Sequence, residues 1–342
     1  MKITEELLRD LARLAETDRS VLSSYIDLRT GWDKAESALE KRAKKLRPLL
    51  TDNEKEYFDV SLSLLQEYLD EKKSTGYDGY GLAYFADIGA DYSAGIELNG
   101  AVEQLLAVDD EAIIAPLALQ LDEYEPVGVI MADGSGARIF IVSGQRIDEE
   151  GSLKTKIHHL SKVGGWSQMR YQRRRDNEIG HFAKETVAAA EAIFQREGVK
   201  RIIFAGRDRI LKAIEEELPK QWRDAKVDIL KWDLDSPDDE FLSRVRPAIE
   251  RAEREQEKRV LDRFVGELRR GGLAMAGAEA VLAALALGQV DTLILNFSVE
   301  RELTEELTSL AEAMSAHVEF VPSGNDVLDS AGGVGALLRY KR

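Results

Sequence analysis

Between Gly151 and Arg175 the chain carries seven basic residues and not one carboxylate: Lys154, Lys156, Lys162, Arg170, Arg173, Arg174 and Arg175. A cationic stretch with no counter-charge is not an ordinary solvated face. In its middle stands Gly164-Gly165-Trp166-Ser167-Gln168. A glycine pair reaches backbone conformations closed to other residues and lets its peptide groups press against a partner. Gln168 adds an amide with one acceptor and two donors, and no titratable group. Net charge for the whole chain is -16, so positive charge gathered around a glycine loop points to a polyanion as its target. The combination predicts a loop pushed into an RNA-walled cavity rather than a conventional acid/base site.

The rest of the charge is distributed to match. Residues 1–125 have a net charge of -13 and residues 271–342 of -6, while residues 126–270 come to +3. Most of the surface would repel phosphate, so one oriented contact is expected in place of indiscriminate nucleic-acid binding. A chain of 342 residues is too long for one ordinary core, and two or three domains follow. No apolar run of eighteen residues predicts a membrane span, and Met1-Lys2-Ile3-Thr4-Glu5-Glu6 lacks the apolar region of a signal peptide. With no cysteine there is no disulfide or thiolate metal site, which fits a reducing, cytoplasmic setting.

The periodicities predict an α/β chain in three segments, 1–125, 126–270 and 271–342. The first opens with a helix near 3–17 and a strand at Val21–Leu28. Two helices follow at about 31–49 and 53–73, parted by Pro48 and the capping sequence Thr51-Asp52-Asn53-Glu54. A second basic cluster, Lys41, Arg42, Lys44, Lys45 and Arg47, lies on the earlier helix. Strands are expected at Leu82–Phe85 and Ile96–Leu98, and the polar Asp122-Glu123-Tyr124-Glu125 before Pro126 reads as an exposed boundary. The second segment starts with strands Val127–Ala132 and Ala137–Ser143, joined by the hairpin signal Asp133-Gly134-Ser135-Gly136. A third strand is expected at about Lys154–Leu160, then the glycine loop, then a helix from about Arg170 to Arg196. Its inward stripe is Ile179, Phe182, Thr186, Ala189, Ala190 and Ile193. Strand Arg201–Ala205, helix Ile210–Leu218, strand Lys226–Trp232 and a charged helix at about 238–268 complete a mixed sheet with flanking helices. The third segment reads as a small α/β sandwich with strands at Thr292–Asn296, His317–Val321 and Ala336–Tyr340.

That order resembles the archaeal and eukaryotic class-1 peptide-release-factor family. Three places carry the likeness: the Asp133-Gly134-Ser135-Gly136-Ala137 hairpin; the Gly164–Gln168 loop with the arginine-rich start at Arg170–Arg175; and Gly277–Gly288 together with Gly332–Tyr340. The likeness covers residues 127–342 well and the first 125 in outline. There are departures. The family's glutamine follows the glycine pair directly, whereas Trp166 and Ser167 intervene here, and the codon-reading tetrapeptide Asn-Ile-Lys-Ser is absent. The absence of that tetrapeptide, and of the cysteine-containing motif that accompanies it, is similar to the bacterial and Vms-type members, which cleave peptidyl-tRNA on stalled large subunits without decoding.

The resemblance implies a three-domain architecture and a ribosome-associated peptidyl-tRNA hydrolase with the ribosome's large-subunit RNA and peptidyl-tRNA as partners. Gly164, Gly165 and Gln168 would form the catalytic loop. Trp166, Ser167, Lys162, Arg170, Arg173, Arg174 and Arg175 would contact RNA, with Lys41, Lys44 and Lys45 as a second contact. No cofactor or metal is expected. The family meets a GTPase through its third domain, but here that segment is short and acidic and gives such a partner no support. Two rivals stand beside this reading. One is a non-enzymatic adaptor similar to Pelota. The other is a nuclease whose metal would sit on Asp133 and Asp176, neither of which has a convincing partner in sequence. His158, His159 and His181 flank the loop without a catalytic spacing, and no H-E-x-x-H, P-loop or G-x-S-x-G sequence is present.

Overall fold

A computed structural model describes residues 3–16, 21–144, 146–154, 166–206, 208–232 and 238–341. Helix α1 (Glu5–Ala12) is started by Thr4, whose hydroxyl accepts the Leu7 N–H. After strand β1 (Val21–Asp27) come helices α2 (Trp32–Leu46) and α3 (Asp52–Ser74), and Thr51 and Glu54 form the expected reciprocal cap at the start of α3. Strands β2 (Gly81–Asp87), β3 (Tyr92–Leu98) and β4 (Leu105–Asp109) complete an antiparallel sheet of order β3-β2-β1-β4. Leu39, Phe58, Leu65 and Leu69 of α2 and α3 pack on one face of it, against Leu22, Ile26, Leu82 and Tyr84. Helix α4 (Ala115–Glu123), with Pro116 in its first turn, ends the segment. Asp122 therefore belongs to a helix and is half-buried, not the exposed boundary residue the sequence suggested.

The middle of the chain forms a second sheet. Strands β5 (Val127–Ala132), β6 (Gly136–Ser143) and β7 (Arg146–Lys154) make an antiparallel meander. Helix α5 (Trp166–Arg196) leads to β8 (Arg201–Gly206), which runs parallel to β5. Helices α6 (Asp208–Glu217) and α7 (Lys220–Asp224) precede β9 (Lys226–Lys231), parallel to β8, and α8 (Asp238–Arg269) follows. The order β7-β6-β5-β8-β9 explains why the third strand lies earlier than expected. As the sheet's edge, β7 keeps Glu149 and Glu150 in contact with solvent, where charge is tolerated. Glu149 also receives Arg138 of β6 at 2.6 Å. Residues 155–160 of the expected strand lie outside the described residues. Ile130, Ile139, Ile202 and Phe204 pack under α5 and α6, while Val129, Phe140 and Ile203 meet Phe241 and Val245 of α8 on the other face. Gly206 closes β8 at φ +144, where a Cβ would lie 1.9 Å from the Ala132 carbonyl oxygen. Only glycine allows that approach.

The last part contains β10 (Ala274–Ala276), α9 (Ala278–Ala286), β11 (Val290–Asn296), α10 (Arg301–Ala313), β12 (His317–Val321), α11 (Asp326–Ser330) and β13 (Val334–Leu338). Its sheet has the order β10-β13-β11-β12, with β11 and β12 parallel and the other pairs antiparallel. Phe264, near the end of α8, is fully buried against Gly335, where a Cβ would come within 2.7 Å of the ring.

Compactness divides the chain in two: one unit holds residues 1–124 and 257–342, the other residues 125–256. The first unit draws on both ends of the sequence through one apolar core. Leu8, Leu11, Phe85, Ile114 and Leu117 share it with Val281, Leu285, Leu293, Leu307 and Phe320. At the seam, the Glu305 carboxylate of α10 accepts the N–H groups of Ile114 and Ala115 at the start of α4, the latter at 3.0 and 3.2 Å. A carboxylate there satisfies orphan donors and sits at the favourable end of the helix dipole. Burial nevertheless pushes its pKa up to about 7, against the pull of those two N–H groups. The mixed α/β class is as expected, and the division at 125/126 and 270/271 is retained as a proposal. No helix among the described residues is long and apolar enough to cross a membrane.

Candidate nucleic-acid interface

The basic stretch becomes the front of α5. This helix starts at Trp166, four residues before the expected Arg170, so Trp166, Ser167 and Gln168 are the first turn of a helix and not part of a loop. No glycine or proline interrupts residues 166–179, and Gln, Met and Arg are good helix formers, so nothing after Gly165 delays the helix. Lys162, Gly164, Gly165, His158 and His159 lie outside the described residues.

Two halves of α5 are built differently. From Ile179 onward, Ile179, Phe182, Ala183, Thr186, Val187, Ala190, Ile193 and Phe194 are buried against the sheet. Ala189, expected in the stripe, packs only at its margin, and the Thr186 hydroxyl is satisfied by the Phe182 carbonyl oxygen at 2.8 Å. Ahead of Ile179 no described side chain is buried. Met169 is 54% exposed, and Arg170, Gln172, Arg173 and Arg174 are exposed too. At 1.5 Å per residue, the stretch from Trp166 to Glu178 is an arm roughly 20 Å long whose described side chains are exposed or half-buried. Its first turn holds no acidic residue, so no carboxylate of that turn offsets the dipole's positive end, which adds to the arginines.

Within the arm, the arginines are not equivalent. Arg174 pairs with Glu178 one turn later at 3.1 Å. Arg175 is half-buried, and its Nε is buried with no hydrogen-bond partner among the described residues. Arg170 and Arg173 have no ion pair among the described residues. Asp176 is held by Arg209 of α6 at 2.5 Å, which ties the base of the arm to the core. His181 is exposed one turn beyond.

The second cluster lies on α2. Lys41, Lys44 and Lys45 are exposed, and Lys44 has Glu40 at 3.6 Å. Arg47 forks the Asp59 carboxylate at 2.8 and 2.7 Å, which holds that carboxyl below its ordinary range. Leu49, Tyr57 and Val60 are exposed on the adjoining segments; sequence reading passed over them because helical spacing alone assigns such residues to a core.

The nuclease reading finds no support. Asp133 is spent on its own hairpin, accepting the Ser135 N–H at 2.7 Å and hydroxyl at 2.6 Å, and Asp176 is paired with Arg209. Neither belongs to a set of metal-ligating side chains among the described residues.

The family described as bacterial archaeo-eukaryotic release factor family 10 matches residues 113–250, and eRF1 domain 3 matches residues 255–342. The chain is 27% identical over 237 residues to the protein pelota homolog of Pyrococcus furiosus, covering 66% of this chain and 64% of that protein. It is 28% identical over 201 residues to peptide chain release factor subunit 1 of Methanopyrus kandleri, covering 56% of this chain and 48% of that protein. It thus spans about half to two thirds of the length of these two relatives. A model of ribosome-bound archaeal Pelota and ABCE1 aligns with 99% of this chain and 95% of that one, at 15% identity and a TM-score of 0.46.

Proposed function

The chain belongs to the release-factor and Pelota superfamily, and on that premise we propose that it is a ribosome-associated rescue factor that hydrolyses peptidyl-tRNA without reading a stop codon. The observation that carries this reading is the front of α5 from Trp166 to Arg175, which has no carboxylate and no buried side chain among those described, directly behind Gly164-Gly165 in sequence. An arm of this kind, directly behind a glycine pair in sequence, surrounds that pair's neighbourhood in the chain with positive charge. Its arginines and Lys162 bind rRNA phosphates, which orient the protein without reading sequence. Trp166 stacks on a base, a contact worth about 1–3 kcal/mol. Lys41, Lys44 and Lys45 supply a second phosphate contact.

The chemistry asked of the protein is small. Water attacks the ester carbonyl, the tRNA 3′ oxygen leaves with a proton, and free peptide and tRNA result. Positioning the water and offering donors to the developing oxyanion accelerate this step without a protein general base. The amide of Gln168 has that role, while Gly164 and Gly165 let the backbone close on the RNA wall. One observation favours the adaptor reading instead: Gln168 lies in the first turn of α5 rather than at a loop tip.

The deciding measurement uses large subunits carrying end-labelled peptidyl-tRNA, with factor in excess. Release of free peptide supports hydrolysis. Binding without release supports the adaptor, and cut RNA would establish a nuclease.

A further inference from the structure

The joint between the two ends of the chain contains a set of side chains that nothing above uses. Asp122 lies near the end of α4, and His317 and Glu319 lie two residues apart on β12, so the strand's alternation puts both on one face. One ligand atom from each of the three lies within 4.8 Å of the others. We propose that Asp122, His317 and Glu319 bind one divalent transition cation of the zinc type, which clasps α4 to β12.

Three features of the geometry argue for a cation. The first is burial. Glu319 is 4% exposed, and a carboxylate that deep needs compensating positive charge. Its neighbouring base is His317, whose side chain is 45% exposed. The second is distance. His317 Nε2 and Glu319 Oε2 are 3.4 Å apart. That is long beside the roughly 2.7–2.9 Å of a charge-assisted hydrogen bond. It matches the edge of a tetrahedron, about 3.4 Å, around an ion with ligands at about 2.1 Å. The third is orientation. Asp122 Oδ2 accepts the Phe320 N–H on the outer edge of β12 at 2.8 Å, which fixes the carboxylate beside the strand. Such outer hydrogen bonds hold ligating carboxylates in place.

The donor set selects the ion. One imidazole and two carboxylates suit zinc, cobalt or manganese better than calcium or magnesium, which prefer six or more oxygens. Three protein ligands leave a fourth position, and the exposed side of His317 lets water fill it. Asp122 is three residues ahead of Glu125, where the second unit begins. The cation would fasten the last helix before that departure to a strand that arrives almost two hundred residues later.

The test uses the full chain, stripped with a chelator and dialysed, then titrated with zinc chloride alone in a calorimeter and with cobalt chloride by visible absorption. One equivalent should bind, the melting temperature should rise by several degrees at saturation, and the cobalt form should show the intense visible bands of a four-coordinate site. His317→Ala changes an exposed side chain and leaves the fold standing; it should weaken binding at least about tenfold. Asp122→Asn should do the same, and Glu319→Gln, at a buried position, is used only if its far-UV spectrum matches wild type. Absence of stoichiometric binding to the wild-type chain overturns the proposal. So does binding that survives His317→Ala but is lost in the double change His158→Ala and His159→Ala, since adjacent histidines elsewhere would then hold the metal.

Discussion

Helices α5 and α10 carry charge to opposite ends. The front of α5 keeps Arg170, Arg173 and Arg174 exposed, whereas α10 holds Glu305 and Glu312 where one chain end closes on the other. The difference teaches what each charge is for. Charge left in solvent and unneutralised is available to a partner and contributes little to folding. Charge taken out of water must meet donors at once, as Glu305 does at the start of α4, and its cost then belongs to the fold.

The largest expected effect tests the α5 side. Gln168→Ala should slow single-turnover peptide release by roughly 10²–10³-fold while leaving subunit binding nearly intact, and Gly165→Ala should slow it at least as much. Wild-type release by Gln168→Ala at saturating factor would remove the glutamine from the chemistry and leave the arm as a docking device alone.

A change on the α10 side should appear in stability. Glu305 has its pKa raised from 4.5 to about 7 in the folded state, so between those values the folded chain holds more protons than the unfolded one. Its contribution is therefore fully present below about pH 4.5 and lost as pH rises through 7, a swing of roughly 2–4 kcal/mol. Glu305→Gln keeps an acceptor for the Ile114 and Ala115 N–H groups and removes the proton. Denaturant melts from pH 5 to 8 should show a shallower fall in stability for this variant than for wild type. An unchanged slope would mean that other groups carry the pH dependence.

Replacing Arg173, Arg174 and Arg175 together by alanine should weaken subunit association by roughly 10–100-fold near physiological salt and flatten its salt dependence by up to about three in slope. Melting should move little. Lost stability with unchanged binding would place these arginines inside the fold and erase the contrast between the helices. The smallest effect is expected for Asp176→Asn. The exposed pair with Arg209 is worth under about 1 kcal/mol, so a thermal melt should scarcely register its loss.

How far the sequence reaches depends on the range of the interaction. The stripe Ile179, Phe182, Thr186, Ala190 and Ile193 was legible because one helix face repeats locally, and the Thr51–Glu54 cap because its partners stand three residues apart. Strand β7 was displaced because Asp148-Glu149-Glu150 has the composition of a connector, and only its place at the sheet edge makes it a strand. The start of α5 was displaced because a glycine pair suggests a loop that runs on, while helix propensity resumes immediately after it. Asp122 was read as exposed because its partner, Phe320, is 198 positions away, and Glu305 drew no notice because Ile114 is 191 away. No local pattern encodes such pairs.

That same separation sets a timetable for biosynthesis. Leu8, Leu11, Phe85 and Leu117 are made early, but the residues that cover them, Val281 to Phe320, follow only after the whole of 125–256 has been synthesised. At about 5–20 residues per second, an interval of roughly 10–30 s passes with that apolar surface uncovered. The middle of the chain, contiguous in sequence, has everything it needs to fold inside that interval. The nascent protein thus passes through a stage in which residues 125–256 have folded while the other unit still lacks the later half of its core, and it is then that a holding chaperone would find its binding surface.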